Sequence, residues 1–263
     1  MLITTAQLSA WLGDFLWPLM RVAMLFSVAP VFGGRLVPRR VRLVLAVMVT
    51  WVLVPVIPPA PAVDPLSAIG VLITVQQLLI GLVMGLMLQL VFTALMIGGQ
   101  VVAMGMGLGF AAMADPQNGV QVPVVGQYYT TLATLLFLVM DGHLLLIGVL
   151  ADSFHSMPVA VDGLSRQTLL EVALWGARMF AGGMLIAIPA VTALLLTNMA
   201  FGVITRSAPQ INIFGVGFPM TLTLGFVIIY FTVPALLPQF SALLEEAFGF
   251  MQGIIVPEGG VRG

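Results

Sequence analysis

Residues 104–124 read M-G-M-G-L-G-F-A-A-M-A-D-P-Q-N-G-V-Q-V-P-V, with glycine at every second place from Gly105 through Gly107 to Gly109. Each glycine costs a helix interior about 1 kcal/mol relative to alanine, so the run is poorly suited to an ordinary helix. It is nevertheless apolar, with Met104, Met106, Phe110 and Met113 ahead of an expected turn at Asp115-Pro116. Irregular backbone cannot face lipid, because each unpaired amide or carbonyl costs several kcal/mol there. The stretch must therefore lie against protein or line a cavity. Two readings stay open: a connecting loop whose glycines permit close helix packing, or a deformable plug in which methionines adapt, glycines let the backbone fold back and Phe110 is the stopper.

The surrounding chain decides the class. Of 263 residues, 60% are hydrophobic and 7% charged, and the mean hydropathy is +1.15, values of an integral membrane protein. All basic side chains are arginine, and a net charge of −1 without long basic runs argues against a nucleic-acid partner. With no cysteine, disulfides, thiolate chemistry and cysteine-ligated metals are excluded. The first apolar run has no basic residues ahead of it, so it is expected to stay in the protein rather than be cleaved as a signal peptide.

Outward from the glycine run toward the N-terminus, no residue from Leu66 to Ala114 is charged. At ~1.5 Å per residue such a helix exceeds a ~30 Å hydrocarbon core, so a bend or break is expected, with Gly98-Gly99 as its place. Gln76, Gln77, Gln89 and Gln100 supply amides that can bond neighbouring helices. Before it, Pro55, Pro58, Pro59, Pro61 and Pro65 form an extended connector after a second span, about Val41 to Ile57. Arg35, Arg39, Arg40 and Arg42 crowd the connection ahead of that span, which the positive-inside rule places in the cytoplasm with the N-terminus on the far side. The first span, about Trp11 to Phe32, carries Asp14, Pro18 and Arg21. Intramembrane charges must face a bundle interior. Asp14 and Arg21 share a helix face two turns apart, too far to pair unless Pro18 bends the helix, and a role in helix packing is favoured over one in transport.

Toward the C-terminus, about Val124 to Met157 is again too long for one span, and Asp141-Gly142-His143 is expected to be a turn or helix break rather than a proton relay. His143 and His155 have no acidic companions at ligand spacing, so no metal is expected. A polar connector, Pro158 to Arg166, leads to a helix starting near Ser165 or Thr168, with Glu171 and Arg178 in its first half. Gly182-Gly183 and Pro189 are expected to interrupt the apolar run, which reaches Thr205. A second irregular apolar connector, Arg206 to Pro219, repeats the character of the glycine run, and Arg206 agrees with a cytoplasmic loop. The last helix, about Met220 to Phe250, is expected to kink at Pro234 and Pro238 and to turn amphipathic at Glu245-Glu246. The tail, 257–263, reads as disordered beyond a single membrane domain of residues 1–256.

No zincin, nucleophile-elbow or phosphate-loop motif occurs, and the alternating glycines at 105–109 follow no soluble strand, so an enzyme is not expected. Two function classes fit: a subunit of a protein-conducting export channel, or a secondary transporter for a small solute with a midplane site between broken helices. The transporter predicts an internal repeat, and Gly98-Gly99 with Gly182-Gly183 is only a weak echo of one.

Specific strings favour the first. Phe15-Leu16-Trp17-Pro18-Leu19 with Arg21, Pro38 with Arg40-Val41, and Gln76-Gln77 with Ile80-Gly81 precede Met106-Gly107-Leu108-Gly109-Phe110-Ala111, Asp115-Pro116 and Pro123-Val124. After these come Gly142-His143-Leu144, Pro189 with Leu194-Leu195-Leu196-Thr197-Asn198, and Arg206 with Ala208-Pro209-Gln210, Phe214 and Gly217-Phe218-Pro219. In this order the strings resemble the FliR family of flagellar export-gate proteins, related to the T subunit of injectisome type III secretion systems. The resemblance covers nearly the whole chain.

It implies an all-α membrane protein of about six long, kinked segments forming hairpins with two irregular apolar loops. It also implies one copy assembled with several copies of FliP and FliQ in a conical gate, much of it lifted out of the bilayer plane. That gate sits in the basal body at the bacterial inner membrane, beside export components of the FlhB and FlhA types, and passes unfolded flagellar proteins without a cofactor. In relatives the glycine loop is the plug beneath a methionine constriction supplied by FliP, which maps here onto Gly105 to Val122. Some relatives carry a second aromatic where this chain has Met113, which leaves Phe110 as the main stopper. The loop with Arg206, Pro209, Gln210, Phe214, Phe218 and Pro219 is expected to be a second gate or packing element.

Overall fold

The computed structural model describes residues 5–34, 37–109, 124–208 and 217–255, and among these every regular element is a helix. In chain order they are α1 (Thr5–Val28), a single turn α2 (Pro30–Gly33), α3 (Arg39–Leu53), α4 (Ala68–Gly105), α5 (Val124–Val139), α6 (Gly142–Ser156), α7 (Arg166–Ser207), α8 (Phe218–Thr232), a 3-10 turn (Val233–Ala235) and α9 (Leu236–Ile255). Four stretches are long and apolar enough to cross a membrane: Trp11–Val28, Ala68–Gly105, Arg166–Ser207 and Phe218–Ile254. The bent pair α5–α6 makes a fifth if it counts as one span. The chain is thus an all-α, multi-pass membrane protein. The expected second span is the exception to the count of about six. α3 has 15 residues, about 22 Å of helix, short of the ~20 residues a crossing needs.

Several expected interruptions do not occur. α4 runs unbroken for 38 residues through Gly98-Gly99, and α7 for 42 through Gly182-Gly183 and Pro189. Glycine lowers helix propensity but does not forbid the helix, and Gly98, Gly99 and Gly183 sit where neighbouring backbones come close. Other expected breaks are present. At Asp141 the backbone enters the left-handed region (φ 55°), ending α5 and starting α6 at Gly142. At Pro234 the last span tightens into the 3-10 turn, while Pro238 falls in the first turn of α9, where a missing N–H breaks no helical bond. α9 is amphipathic as expected, with Glu245 and Glu246 exposed and Leu244, Ala247, Phe248 and Met251 buried.

The chain groups into two compact units. The first comprises residues 1–90, 137–175 and 244–263. In it α1 packs on α3 and, through Trp17, Val22, Leu25 and Phe26, all fully buried, lies in the core. The second comprises residues 91–136 and 176–243, with Phe92 and Phe240 edge to face at 5.6 Å between ring centres.

Candidate functional site

In the first unit Arg21 and Gln77 come together, while Asp14 and Gln76 do not join them. α1 continues as one helix through Pro18, and Asp14 and Arg21 each find their own partner. The Asp14 carboxylate accepts the backbone N–H of Ala60 at 2.8 Å, tying α1 to the proline connector. Arg21 has no exposed surface, and all five of its N–H donors are used. Its Nε and Nη2 donate to the Gln77 carbonyl at 2.9 and 2.5 Å, Nη1 to the carbonyl and hydroxyl of Ser153 at 2.8 and 2.9 Å, and Nη2 to the Met157 carbonyl at 2.8 Å. The guanidinium carbon lies 4.0 Å from the centre of the Phe154 ring, a cation–π contact. Every partner is neutral, and together they join α1, α4 and the end of α6.

The same seam explains why Gly81 stands four residues after Gln77. A Cβ there would meet the Arg21 carbonyl, so its absence lets α4 approach α1 closely enough for the guanidinium to reach Gln77. One turn earlier, Trp17 Nε1 donates to the Thr74 hydroxyl at 3.2 Å. Gln76 points elsewhere: its side chain packs on Gly163, and its carbonyl oxygen is buried without a hydrogen-bond partner among the described residues. The sequence marked Arg21 and Gln77 separately as polar groups in apolar spans. It carried no signal for Phe154 or for the Ser153 and Met157 carbonyls, since a backbone acceptor looks alike at every position.

In the second unit lies the entry to the glycine run. Met104 and Gly105 are the last residues of α4 rather than loop, and the chain leaves the helix through Met106–Leu108, with Gly107 at φ 83°. Only glycine takes that conformation at no steric cost. The exit is held from two sides. Asn198 of α7 donates its side-chain amide to the Gly105 carbonyl at 3.2 Å, and fully buried Met106 lies against Gly225 of α8, where a Cβ would come within 2.6 Å of it. Met104 and Gly109 are exposed. Phe110, Met113, Asp115 and Pro116 lie outside the described residues, as do Pro209, Gln210, Phe214 and the tail. Of the second irregular connector, Arg206 belongs to the last turn of α7, and Phe218 and Pro219 open α8.

Above the exit the same unit shows why α4 and α7 carry glycine pairs. A Cβ on Gly98 would approach the Gly183 carbonyl to 2.8 Å, one on Gly183 would approach the Ala94 carbonyl equally, and one on Gly99 would meet the backbone of Gly126 in α5. Three helices therefore touch backbone to backbone one to two turns before the exit. The glycines expected to break helices join them instead.

The sequence from α1 to α9 matches the profile of bacterial export proteins, family 1, over residues 12–247. The chain belongs to that family. It is 38% identical to the flagellar biosynthetic protein FliR of Escherichia coli K12 over 253 residues, covering 96% of this chain and 97% of that one. It is similarly 38% identical to FliR of Pectobacterium carotovorum, over 93% of this chain and 94% of the relative, and 29% identical to FliR of Bacillus subtilis 168, over 82% and 84%. Both clusters described above lie inside the matched span.

Proposed function

We propose that the chain is a membrane subunit of the flagellar protein-export apparatus, a transport component rather than a catalyst, whose glycine run closes the protein-conducting passage. The relatives' shared name supports the flagellar role. The observation that carries the plug is the exit from α4. A helix anchored by the backbone contacts of Gly98 and Gly99 ends at Gly105 and passes the chain on through a left-handed glycine. Asn198 and Met106 clamp that exit. Beyond the clamp follows Gly109-Phe110-Ala111-Ala112-Met113-Ala114, apolar and made mostly of small residues, a composition that holds few fixed contacts and yields easily to a passing polypeptide. Phe110 is the main stopper.

Partners of the FliP and FliQ type supply the rest of the wall. Supporting this is the amount of apolar surface left uncovered: Leu185, Leu195, Leu196 and Met199 on α7 and Phe226, Tyr230 and Phe231 on α8 are all exposed. Components of the FlhA and FlhB types and unfolded flagellar proteins meet the cytoplasmic side of the inner membrane, the side that the positive-inside rule gives to the arginines at the start of α3 and to Arg206. Energy for transport comes from elsewhere.

Deleting Gly107–Ala114 tests the plug. Ion leak across the membrane should rise while the protein still assembles; an unchanged leak removes the assignment. Copurification of tagged chain with FliP- and FliQ-type subunits tests the assembly, and recovery of the chain without them would refute it.

A further inference from the structure

α3 carries a surface that neither the glycine run nor the Arg21 cluster uses. Its charge is confined to one end: Arg39, Arg40 and Arg42 stand in its first four residues, and the remaining eleven, Leu43 to Leu53, contain no charge. A helix lying flat on a membrane spreads its charges along a whole face. α3 does not; its charges sit at one end, the pattern of a helix whose axis runs from the headgroups into hydrocarbon. Only Ala46, Thr50 and Leu53 are buried, whereas Val41, Leu43, Val44, Met48, Trp51 and Val52 are more than half exposed.

On that exposed side is a groove of about 360 Å³ lined by Arg40, Val41, Val44, Leu45 and Met48. Apart from the arginine its walls are aliphatic or thioether. From Arg40 to Met48 the helix rises about 12 Å, close to the ~15 Å hydrocarbon depth of one leaflet. The arginines divide their work. Arg42 turns back to donate to the Phe32, Gly34 and Val37 carbonyls at 3.1, 3.3 and 3.4 Å, fixing the preceding loop. Arg39 and Arg40 are exposed and make no hydrogen bond or ion pair among the described residues.

We propose that this face of α3 is a binding site for an anionic phospholipid, its acyl chain along Val41, Val44, Leu45 and Met48 and its phosphate at Arg40 with Arg39 beside it. A shallow apolar groove along the helix, ending at uncompensated cations, matches an acidic lipid in both length and charge. A zwitterionic lipid fits the groove but brings its own cation to the arginines. A protein helix fits the apolar side and leaves both charges unanswered.

The full chain, purified in detergent and exchanged into nanodiscs of mixed phosphatidylglycerol and phosphatidylcholine, provides the test. Because the protein has no cysteine, Met48→Cys accepts a single fluorophore. Quenching by brominated phosphatidylglycerol should exceed quenching by brominated phosphatidylcholine. Each arginine at the headgroups is worth roughly a five-fold preference, so Arg40→Gln should cut the preference about five-fold and Arg39→Gln with it further. Arg166→Gln, an exposed arginine on another helix, should leave it unchanged. Equal quenching by the two lipids would overturn the proposal. So would an Arg40→Gln protein that keeps its preference, or a position-48 probe shielded from both lipids by another protein in the assembled apparatus.

Discussion

The Arg21 clasp and the Gly98–Gly183 crossing solve one problem in opposite ways. Apolar helices in an apolar solvent gain little from burying their side chains against each other, so contact must come from polar bonds or from close backbone approach. The clasp uses polar bonds: one guanidinium at the meeting of three helices spends all five donors on neutral acceptors. The crossing uses empty space, since glycines bring α4, α7 and α5 to distances no side chain would permit. The first fixes a single arrangement, because a guanidinium fork accepts few geometries. The second fixes only proximity.

Replacing Gln77 with Leu strains this contrast most. It removes the carbonyl that takes two of the five donors and leaves the buried cation short of partners, so detergent-solubilised protein should lose about 3 kcal/mol in a denaturant titration. A loss below 1 kcal/mol would mean that the remaining carbonyls suffice and that the clasp is no lock. Gly98→Val attacks the crossing instead. The Gly183 carbonyl is backbone and cannot move aside, and an expected loss of about 2 kcal/mol in the same titration follows from overpacking. If the two helices simply part without cost, the crossing is incidental.

A finer comparison comes from Arg21→Met combined with Gln77→Leu. With charge and partner both gone the pocket becomes apolar throughout, and the double variant should lose about 1 kcal/mol, less than Gln77→Leu alone. Additive losses would contradict the idea that the uncompensated cation is what costs. Asn198→Ala should have the smallest effect. It removes one exposed hydrogen bond to the Gly105 carbonyl, worth about 0.5 kcal/mol, and should speed amide exchange at Met106–Gly109 while leaving exchange around Arg21 unchanged. Faster exchange in both places would show that the clasp and the exit are not separate.

The charge-free run from Leu66 to Ala114 forces a long apolar element, and the left-handed break at Asp141-Gly142 was legible because two polar residues flank a glycine between apolar runs. Pro234 acted as proline does in a helix interior. The glycine pairs misled. Propensity counts what a glycine loses by itself, whereas at Gly98 and Gly183 the gain lies in the neighbour that its missing side chain admits. The count of spans failed at α3 for a related reason: hydropathy continues past Leu53, but the prolines from Pro55 on end the helix before the apolar stretch is used up.

By itself the sequence determined that this is a membrane protein, where its apolar runs lie, and that Arg21 needs a polar shelter. Which groups shelter Arg21, which glycine faces which, and which sides of α3, α7 and α8 stay bare were decided only by the tertiary structure. Hydropathy and propensity act between near neighbours along the chain. The partners of Arg21 stand 56 to 136 residues away, brought near by helix crossings that no local preference encodes.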